Sequence, residues 1–300
     1  MSTTTIEHKS KLVYFADDTF AYAGIHHHEI SHPVHTHSFV EVAIVAGGEG
    51  VHHSLNGRMR LAAGDVVLLR PGVWHGYEEC RDLALYNCCF SAELLRRELG
   101  WTRDDPLLAH LLWTGPYVEQ RRGMLTTHLA PAERAECFAH LDALAALRTR
   151  PQHLHRGDMI AQLILALGCV ARAVGAVARP EPIHPAVVEG MRLIEAEPAR
   201  PWTLTELADL LHVAPGYLIR LFKSVTGLPP MAFLSRYRVE LAAEMLLHTD
   251  LPVRAIAEHL GWPDPNYFAR RFRAHYGLTA SEYRARFTSK LKLGSSRVRA

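Results

Sequence analysis

Histidine and glutamate side chains recur at short, regular intervals in the first third of the chain. His35, His37 and Glu41 all have odd numbers, so on an extended strand their side chains project from the same face. His75 adds a fourth such group after a turn signal at Pro71-Gly72. Three imidazoles and a carboxylate could bind a divalent transition-metal ion such as Mn, Fe, Ni or Zn. The same groups could instead hydrogen-bond the hydroxyls of a small polar effector, or they could be structural side chains without a ligand.

Aromatic rings lie close to His75 at Trp74 and Tyr77, and an effector could stack on them. We therefore predict an effector site formed by His35, His37, Glu41, Trp74, His75 and Tyr77. If a metal ion is bound instead, its predicted ligands are His35, His37, Glu41 and His75. The neighbouring histidines extend beyond this spacing, so most of them are expected to be solvated: His26, His27, His28, His32, His52 and His53.

Basic residues form a second pattern, which is written twice in the last third of the chain. Arg220 and Phe222 recur as Arg270 and Phe272, 50 residues later. In each copy, apolar residues at i, i+3, i+4 and i+7 predict two amphipathic helices separated by a tight turn. Two short helices across such a turn form a helix-turn-helix, whose second helix enters the major groove of DNA. The exposed face of the second helix is basic in both copies, so the repeat indicates DNA binding.

This region resembles the DNA-binding domain of AraC/XylS-type transcription regulators. The resemblance is carried by ADLLHVAPGYLIRLFKSVTGL from Ala208 and by IAEHLGWPDPNYFARRFRAHYGLTASEYR from Ile256. The chain departs from the family pattern at His212, where Gly is usual in the first turn, and at Ala214, where Ser usually caps the first recognition helix. Loss of a helix cap costs about 1 kcal/mol, which a packed domain can absorb.

The resemblance also implies which residues contact DNA. The same residues lie on the side of each second helix that faces away from its apolar stripe. The predicted contacts are Pro215, Gly216, Ile219, Arg220 and Lys223 in the first copy, and Pro265, Asn266, Arg270 and Arg273 in the second. We expect Arg220 and Arg270 to meet bases, and Lys223 and Arg273 to meet phosphates.

The histidine-rich region resembles the cupin barrel, which is also the layout of the ligand-sensing domain in many sugar-responsive AraC-type regulators. The matching order is H-x-H-x3-E-x6-G, followed by G-D and P-G-x-x-H. The chain has Glu29 and Glu79 where cupins usually have Gly and Asn. Short alternating segments around Asn56-Gly57 predict a β-hairpin, and several such strands indicate a small all-β barrel.

The expected fold class is α+β. An all-β cupin-like barrel is predicted over residues 1–91 and dimerisation helices over 92–178. A proline-rich linker over 179–186 precedes an all-α tandem helix-turn-helix domain over 187–288 and a basic tail over 289–300. Within the helical region, Met159–Val177 is apolar on all sides and is expected to be buried. Intramolecular packing alone could also account for these helices.

Charge and cysteine content separate two parts of the chain and indicate its compartment. Residues 1–183 carry 17 basic and 20 acidic side chains, whereas residues 184–300 carry 16 and 11. A basic half suits nucleic acid. The five cysteines have no C-x-x-C spacing and an odd count, which favours reduced thiols. No signal peptide and no apolar run of membrane-spanning length are expected, so we predict a cytoplasmic protein that does not bind membranes.

The function predicted from these observations is sequence-specific regulation of transcription in response to a small polar effector, such as a sugar or related metabolite. The expected partners are double-stranded DNA, the effector, a second copy of the chain and, for an activator, RNA polymerase. The alternative is a metal-binding cupin sensor or a cupin enzyme. The basic tandem repeat has no role in a cupin enzyme, so we predict a non-enzymatic protein, without a certain cofactor but with a possible divalent metal in the barrel.

Overall fold

A computed structural model describes residues 20–148, 150, 152–178 and 181–294. Its N-terminal part is built on a seven-stranded antiparallel sheet. The strands are β1 (Ala21–His28), β2 (His32–His35), β3 (Phe39–Ser54), β4 (Gly57–Leu61), β5 (Asp65–Leu69), β6 (His75–Ser91) and β7 (Met124–His128). The path through the sheet is β1-β6-β3-β5-β7, with β2 on β6 and β4 on β3. The predicted hairpin between β3 and β4 is confirmed, although its two-residue turn is Leu55-Asn56 and not Asn56-Gly57.

The two faces of the sheet bury different cores. Even-numbered residues of the first half of β3, such as Val42 and Ile44, pack towards the helices that follow the sheet. Val45, Leu69 and Tyr77 belong to the opposite face, which we call the inner face. Because successive side chains of a strand alternate, odd-numbered Glu41 also lies on the inner face.

The alternation of side chains between the two faces of the sheet changes halfway along β3. Val45 is opposite Leu85, but after register shifts between Val45 and Val51 the residue opposite Tyr77 is His52. The net shift of one residue is the signature of a β-bulge, which bends a strand and inverts its alternation. Even-numbered side chains beyond the bulge, including His52, therefore lie on the inner face with Glu41.

The region predicted to be helical contains four helices and also contributes a strand. The helices are α1 (Ala92–Arg96), α2 (Pro106–Ala109), α3 (Pro131–Leu147) and α4 (Gln152–Ala178), and short 3-10 and π turns lie between Gly100 and Arg121. Residues 92–178 are therefore not only helical, because β7 returns to pair with β5. α3 covers the outer face of the sheet, where the Tyr86 hydroxyl donates to Asp142 at 2.8 Å.

α4 differs from expectation in two ways. Its segment Leu154–Val177 is long and apolar enough to span a membrane by length and composition, and half of it is buried inside the protein. Several of its apolar side chains are nevertheless exposed, with Leu154, Leu165 and Val177 at 69%, 47% and 87%. The prediction that this helix is buried all round is therefore wrong for one face.

Seven helices form the C-terminal part, and four of them are the two helix pairs that the repeat predicts. They are α5 (Pro185–Ala196), α6 (Leu204–Leu210), α7 (Pro215–Thr226), α8 (Pro230–His248), α9 (Val253–His259), α10 (Pro265–Tyr276) and α11 (Ala280–Gly294). α6–α7 and α9–α10 are the two helix-turn-helix modules, and α8 packs against both. α11 continues past residue 289, where the tail was expected to begin. Residues 1–19 of the predicted barrel region and residues 295–300 of the predicted tail lie outside the described residues.

A buried ion pair joins the sheet to the C-terminal helices. Arg70, directly after β5, lies 3.2 Å from the Glu240 carboxylate of α8. The guanidinium also donates to the Tyr117 hydroxyl at 2.7 Å and to the Leu112 carbonyl at 3.1 Å. Arg70 and Glu240 are only 5% and 4% exposed. The buried charges are thus paired and hydrogen-bonded across the boundary between the two parts.

Removing one partner of this pair should destabilise the whole chain. Arg70→Met leaves the Glu240 carboxylate buried without its cation, so we expect the free energy of unfolding to fall by about 3–5 kcal/mol in a denaturant titration. Arg58→Met is the control, because Arg58 pairs with Glu79 at the surface and its loss should cost less than about 1 kcal/mol. Equal effects of the two substitutions would contradict a structural role for the buried pair.

Candidate ligand pocket and nucleic-acid interface

Three of the predicted ligand residues converge on the inner face of the sheet. The Nε2 atoms of His37 and His75 lie 2.9 Å and 3.4 Å from the same carboxylate oxygen of Glu41, Oε2. All three side chains are buried, and their nearest donor atoms lie within 4.8 Å of one another. Although these distances are short, neither contact has the geometry of a hydrogen bond. The groups form a compact buried triad of two imidazoles and one carboxylate.

Backbone carbonyl groups orient both imidazoles of the triad. The Nδ1 of His37 lies 2.9 Å from the Phe39 carbonyl, to which it can only donate a proton. The Nδ1 of His75 points to the Val73 carbonyl at the longer distance of 3.5 Å. The Gly72 amide in turn donates to the His37 carbonyl at 2.8 Å, which ties the loop before β6 to the loop before β3.

Burial controls the charges in the pocket. It lowers the pKa of His75 well below its ordinary value, and nearby histidines lower it further. Burial would raise the pKa of the Glu41 carboxyl, but the adjoining His37 imidazole outweighs burial and holds it below the ordinary value. At neutral pH the triad therefore contains an ionised carboxylate and a neutral His75, the forms in which both groups bind cations or accept hydrogen bonds.

Further imidazoles and a phenol surround the triad. The His35 ring lies tilted against His75, with 4.3 Å between ring centroids, and the rings of His52 and Tyr77 each lie 5.8 Å from His75. His28 stacks on the other side of Tyr77 at 5.5 Å. The expectation that most neighbouring histidines are solvated is wrong: His52 is fully buried, His26, His28, His32 and His53 are half-buried, and among the six only His27 is exposed.

Trp74 lies away from the triad. Its indole Nε1 donates to the Tyr276 carbonyl at the end of α10, at 3.0 Å. Because the indole is held against the C-terminal helices, the structure does not bring it together with the other five predicted effector residues. Trp74 instead belongs to the contact between the two parts of the protein.

The predicted DNA-contact residues share one exposed surface in each module. On α7 the side chains of Leu218 and Phe222 are buried, and on α10 those of Phe268 and Phe272 are buried. Gly216, Arg220, Lys223, Pro265, Asn266, Arg270 and Arg273 are exposed, and Pro215 and Ile219 are half-buried. Among the described residues, none of the four cations in this set has an ion-pair partner, so they are free to meet phosphates or bases.

Sequence reasoning overlooked an aromatic residue beside each predicted base-contacting arginine. Tyr217 and Tyr267 are 39% and 40% exposed, and the guanidinium groups of Arg220 and Arg270 lie 5.5 Å and 5.7 Å from their ring centroids. The 50-residue offset that pairs the arginines also pairs these tyrosines, so the signal was present in the sequence. Each arginine is thereby held against a ring at the exposed start of its helix.

The departures from the family pattern at the first turn have visible consequences. His212 adopts a left-handed conformation with φ of 54°, whereas its counterpart in the second module is Gly261 with φ of 74°. Ala214 gives α7 no side-chain cap, whereas Asp264 accepts from the Asn266 amide at 2.8 Å and caps α10. The first module is therefore the more strained of the two at its turn.

A buried cluster of imidazoles and a carboxylate on a sheet, joined to two helix-turn-helix modules with exposed cations, indicates a DNA-binding transcription regulator with a ligand-binding domain. Known families match both parts: residues 20–167 match the AraC-like ligand binding domain, and residues 207–286 match a helix-turn-helix domain. The chain belongs to the AraC family of transcription regulators.

Individual relatives are similar over most of the chain. The HTH-type transcriptional activator RhaR of Mannheimia succiniciproducens is 23% identical over 88% of this chain and 91% of its own length. The RCS-specific HTH-type transcriptional activator RclR of Escherichia coli is 33% identical, but only over 35% of this chain and 37% of its own length. Among solved structures, unsaturated fatty acid bound ToxT of Vibrio cholerae has a TM-score of 0.51 at 13% identity, over 90% of this chain and 97% of ToxT. ToxT therefore shares the overall α+β fold.

The unpaired Tyr77 hydroxyl gives a test of the pocket. It is buried and has no hydrogen-bond partner among the described residues. Because an unpaired buried hydroxyl carries a desolvation cost, Tyr77→Phe should leave the free energy of unfolding unchanged or raise it by up to about 1 kcal/mol. Tyr86→Phe is the matched control and should lower it by about 1–2 kcal/mol, since the Tyr86 hydroxyl donates to Asp142. A larger loss for Tyr77→Phe than for Tyr86→Phe would show that the Tyr77 hydroxyl is a structural group.

Proposed function

We propose that this protein is a cytoplasmic transcription activator that binds promoter DNA through α7 and α10 and is controlled by a small polar effector. The repeated surface of α7 and α10 is the observation that carries the proposal, because each helix presents two unpaired cations on an exposed face. α8 has 19 residues and is about 28 Å long at 1.5 Å per residue, so it can hold the two modules near the roughly 34 Å that separate successive major-groove segments. Its relatives are named as activators, which favours contact with RNA polymerase and a non-enzymatic role.

The effector is proposed to bind in the pocket around the triad. His37, Glu41 and His75 form its floor, with His35 and Tyr77 beside them. A surface of imidazoles, one carboxylate and one phenol offers many hydrogen-bonding groups and little apolar area, which suits a sugar or a related metabolite. His52 is added to the predicted set because the bulge in β3 turns it towards Tyr77.

The open face of α4 favours a homodimer. Ala161 and Leu165 are exposed one turn apart on a helix whose other sides pack against α2, α3 and β7. Exposed apolar side chains that share a helix face mark an interaction surface more often than isolated ones do. We place the partner copy on this face, in keeping with the dimerisation role predicted for the helical region.

The loop from Pro71 to His75 is the proposed route from the pocket to the DNA-binding modules. At one end of the loop, His75 is part of the triad. Along the loop, the Gly72 carbonyl accepts from Tyr283 of α11 at 2.8 Å, and Trp74 donates to Tyr276 of α10 at 3.0 Å. A ligand that displaces His75 must therefore also move the contacts of this loop with the second module.

Substitution on the recognition helices tests the DNA-binding surface. If Arg270 reads a base, Arg270→Ala should cost about 1–3 kcal/mol in binding and relax the preference at one base pair. Lys223→Ala should instead lower the salt slope of binding by about one unit without changing sequence preference. Arg254→Ala on α9 removes the same charge from outside this surface and should change neither quantity. Equal weakening by Arg270→Ala on every sequence would contradict base reading.

The loop proposal is tested by two glycine substitutions with the same backbone cost. Gly72 and Gly57 both have positive φ, but only a Cβ at Gly72 meets neighbours, lying 2.5 Å from the Tyr276 hydroxyl and 2.9 Å from Ala243 Cβ. Gly72→Ala should therefore lower the free energy of unfolding by about 1–3 kcal/mol more than Gly57→Ala. It should also speed proteolysis between the two parts and change the DNA affinity of the full chain. Unchanged proteolysis and DNA affinity would rule out the loop as the connection.

A further inference from the structure

A cleft rich in arginine lies at the boundary between the sheet-containing part and the C-terminal helices. Its volume is about 780 Å³, which is within the roughly 300–1,000 Å³ of small-molecule sites, and such sites are frequent between domains. One wall is formed by α1 and the 3-10 turn Gly100–Arg103, and the other by the end of α5. We call it the junction cleft. Its lining combines one tryptophan, Trp101, with four arginines: Arg96, Arg97, Arg103 and Arg192.

Arg103 is held rigidly at this boundary. Its guanidinium lies 3.4 Å from the centroid of the Trp113 ring and pairs with the buried carboxylate of Glu195 in α5. Trp113 is itself fixed, because its Nε1 donates to the Thr102 hydroxyl at 2.8 Å. Arg103 is 4% exposed, and its Nε has no hydrogen-bond partner within the part of the chain that the structure describes. A buried N–H without an acceptor is unfavourable, so an acceptor oxygen from a ligand would be stabilising here.

Arg96 supplies a second positive charge that the protein leaves unpaired. It lies in the last turn of α1, is half-buried, and forms no ion pair with any residue that the structure describes. Its charge acts across the boundary, because it opposes the rise that burial gives to the pKa of Glu195 in α5 and of Glu244 in α8. Arg96 is therefore close to the DNA-binding part without being neutralised by it.

The three acidic residues of the lining do not exclude an anion. Glu93 and Glu195 are each paired with an arginine of the same cleft. Asp104 is exposed, so water and salt screen its charge. The positive charge of Arg96 is thus not cancelled within the cleft.

Three further side chains of the junction cleft are exposed and can adjust to a ligand. Arg97 and Arg192 have surface partners, Glu93 at 3.1 Å and Glu189 at 2.8 Å, and exposed ion pairs of this kind contribute little to stability. Trp101 is 50% exposed, so its ring is available to a planar group. An exposed tryptophan beside arginines offers stacking and positive charge in the same place.

We propose that the junction cleft binds a small molecule that carries a phosphate group next to a planar ring, as nucleotides do. The unmet capacity of Arg96 and Arg103 favours a dianion with several oxygens. A phosphate monoester carries about −1.5 to −2 charges at neutral pH and three acceptor oxygens, whereas a carboxylate has one charge and two oxygens. Trp101 accounts for the ring. This site is separate from the proposed effector pocket, and its ligand would strengthen the contact between α1 and α5.

The experiment titrates the full-length protein with AMP, GMP, CMP or UMP, each alone, in a calorimeter at low salt. We expect one equivalent of at least one nucleotide to bind and to raise the melting temperature. The matching nucleoside lacks the phosphate and should bind at least about tenfold more weakly. Arg96→Gln should weaken nucleotide binding about 10–100-fold, as expected for loss of a charge-assisted hydrogen bond. Trp101→Ala should weaken it at least about fivefold and leave the binding of inorganic phosphate unchanged.

Two control variants locate the site. Arg81→Gln removes an exposed arginine from the sheet, and Arg270→Ala removes one from the DNA-binding surface. Both should bind the nucleotide as the wild type does. If Arg96→Gln fails to fold, Arg192→Gln at an exposed position is the second variant, with an expected loss of at least about fivefold.

Four results would overturn the proposal. Wild-type protein that binds none of the four nucleotides would do so, as would a nucleoside that binds as tightly as its nucleotide. Binding that Arg96→Gln leaves intact, or that Arg270→Ala abolishes, would place the nucleotide outside the junction cleft. Benzoate, a ring with a carboxylate, is the comparison probe, and tighter binding of benzoate than of any nucleotide would replace phosphate by carboxylate as the recognised group.

Discussion

The buried guanidinium of Arg70 is the constraint on which the arrangement of the two parts depends. A charge removed from water has to be paired and hydrogen-bonded, and here the partners come from two distant segments of the chain. Leu112 and Tyr117 belong to the turns that follow the sheet, and Glu240 belongs to α8. These contacts of one side chain therefore fix where α8 lies against the sheet, and through α8 where both helix-turn-helix modules lie.

The position of Arg70 in the chain extends this constraint to the ligand pocket. Arg70 directly follows β5, and only four residues separate it from His75, which contacts Glu41. In that short interval the Gly72 amide bonds to the His37 carbonyl, and the Gly72 carbonyl accepts from Tyr283. One short backbone segment thus contacts both the pocket and the C-terminal helices. Because the segment is short and hydrogen-bonded, a movement at one end should displace the other.

Periodicity and composition were sufficient for most of the fold but not for the complete pocket. The tandem modules were predictable because Arg220 and Arg270 sit in the same local pattern, and local patterns decide helices and turns. Glu41 was found because alternation holds along the first half of β3, whereas His37 lies in the loop before that strand and reaches Glu41 from there. His52 was missed because the bulge in β3 inverts that alternation, and a bulge in mid-strand leaves little trace in hydrophobic pattern.

The role of Trp74 and the Arg70–Glu240 pair could not be read from the sequence for a different reason. Their partners are distant along the chain: Trp74 meets Tyr276, and Arg70 meets Glu240, 170 residues away. Local spacing carries no information about such contacts, and an aromatic residue next to a ligand histidine has the same pattern whether it stacks on an effector or docks on a helix. The seventh strand, Met124–His128, was not predicted for the same reason, because it pairs with β5, which lies much earlier in the chain.

The shared interface limits how freely the two parts of this regulator can be recombined. When a protein has separate sensing and DNA-binding domains, a hybrid is usually designed by joining domains of two proteins at the linker. That design assumes that the two domains are independent. In this chain a foreign DNA-binding half would have to supply a carboxylate for Arg70 and hydroxyl groups for Pro71 and Gly72, now provided by Glu240, Tyr276 and Tyr283. The sensing domain must therefore be kept together with α8, α10 and α11. A successful hybrid would exchange only the exposed residues of the recognition helices.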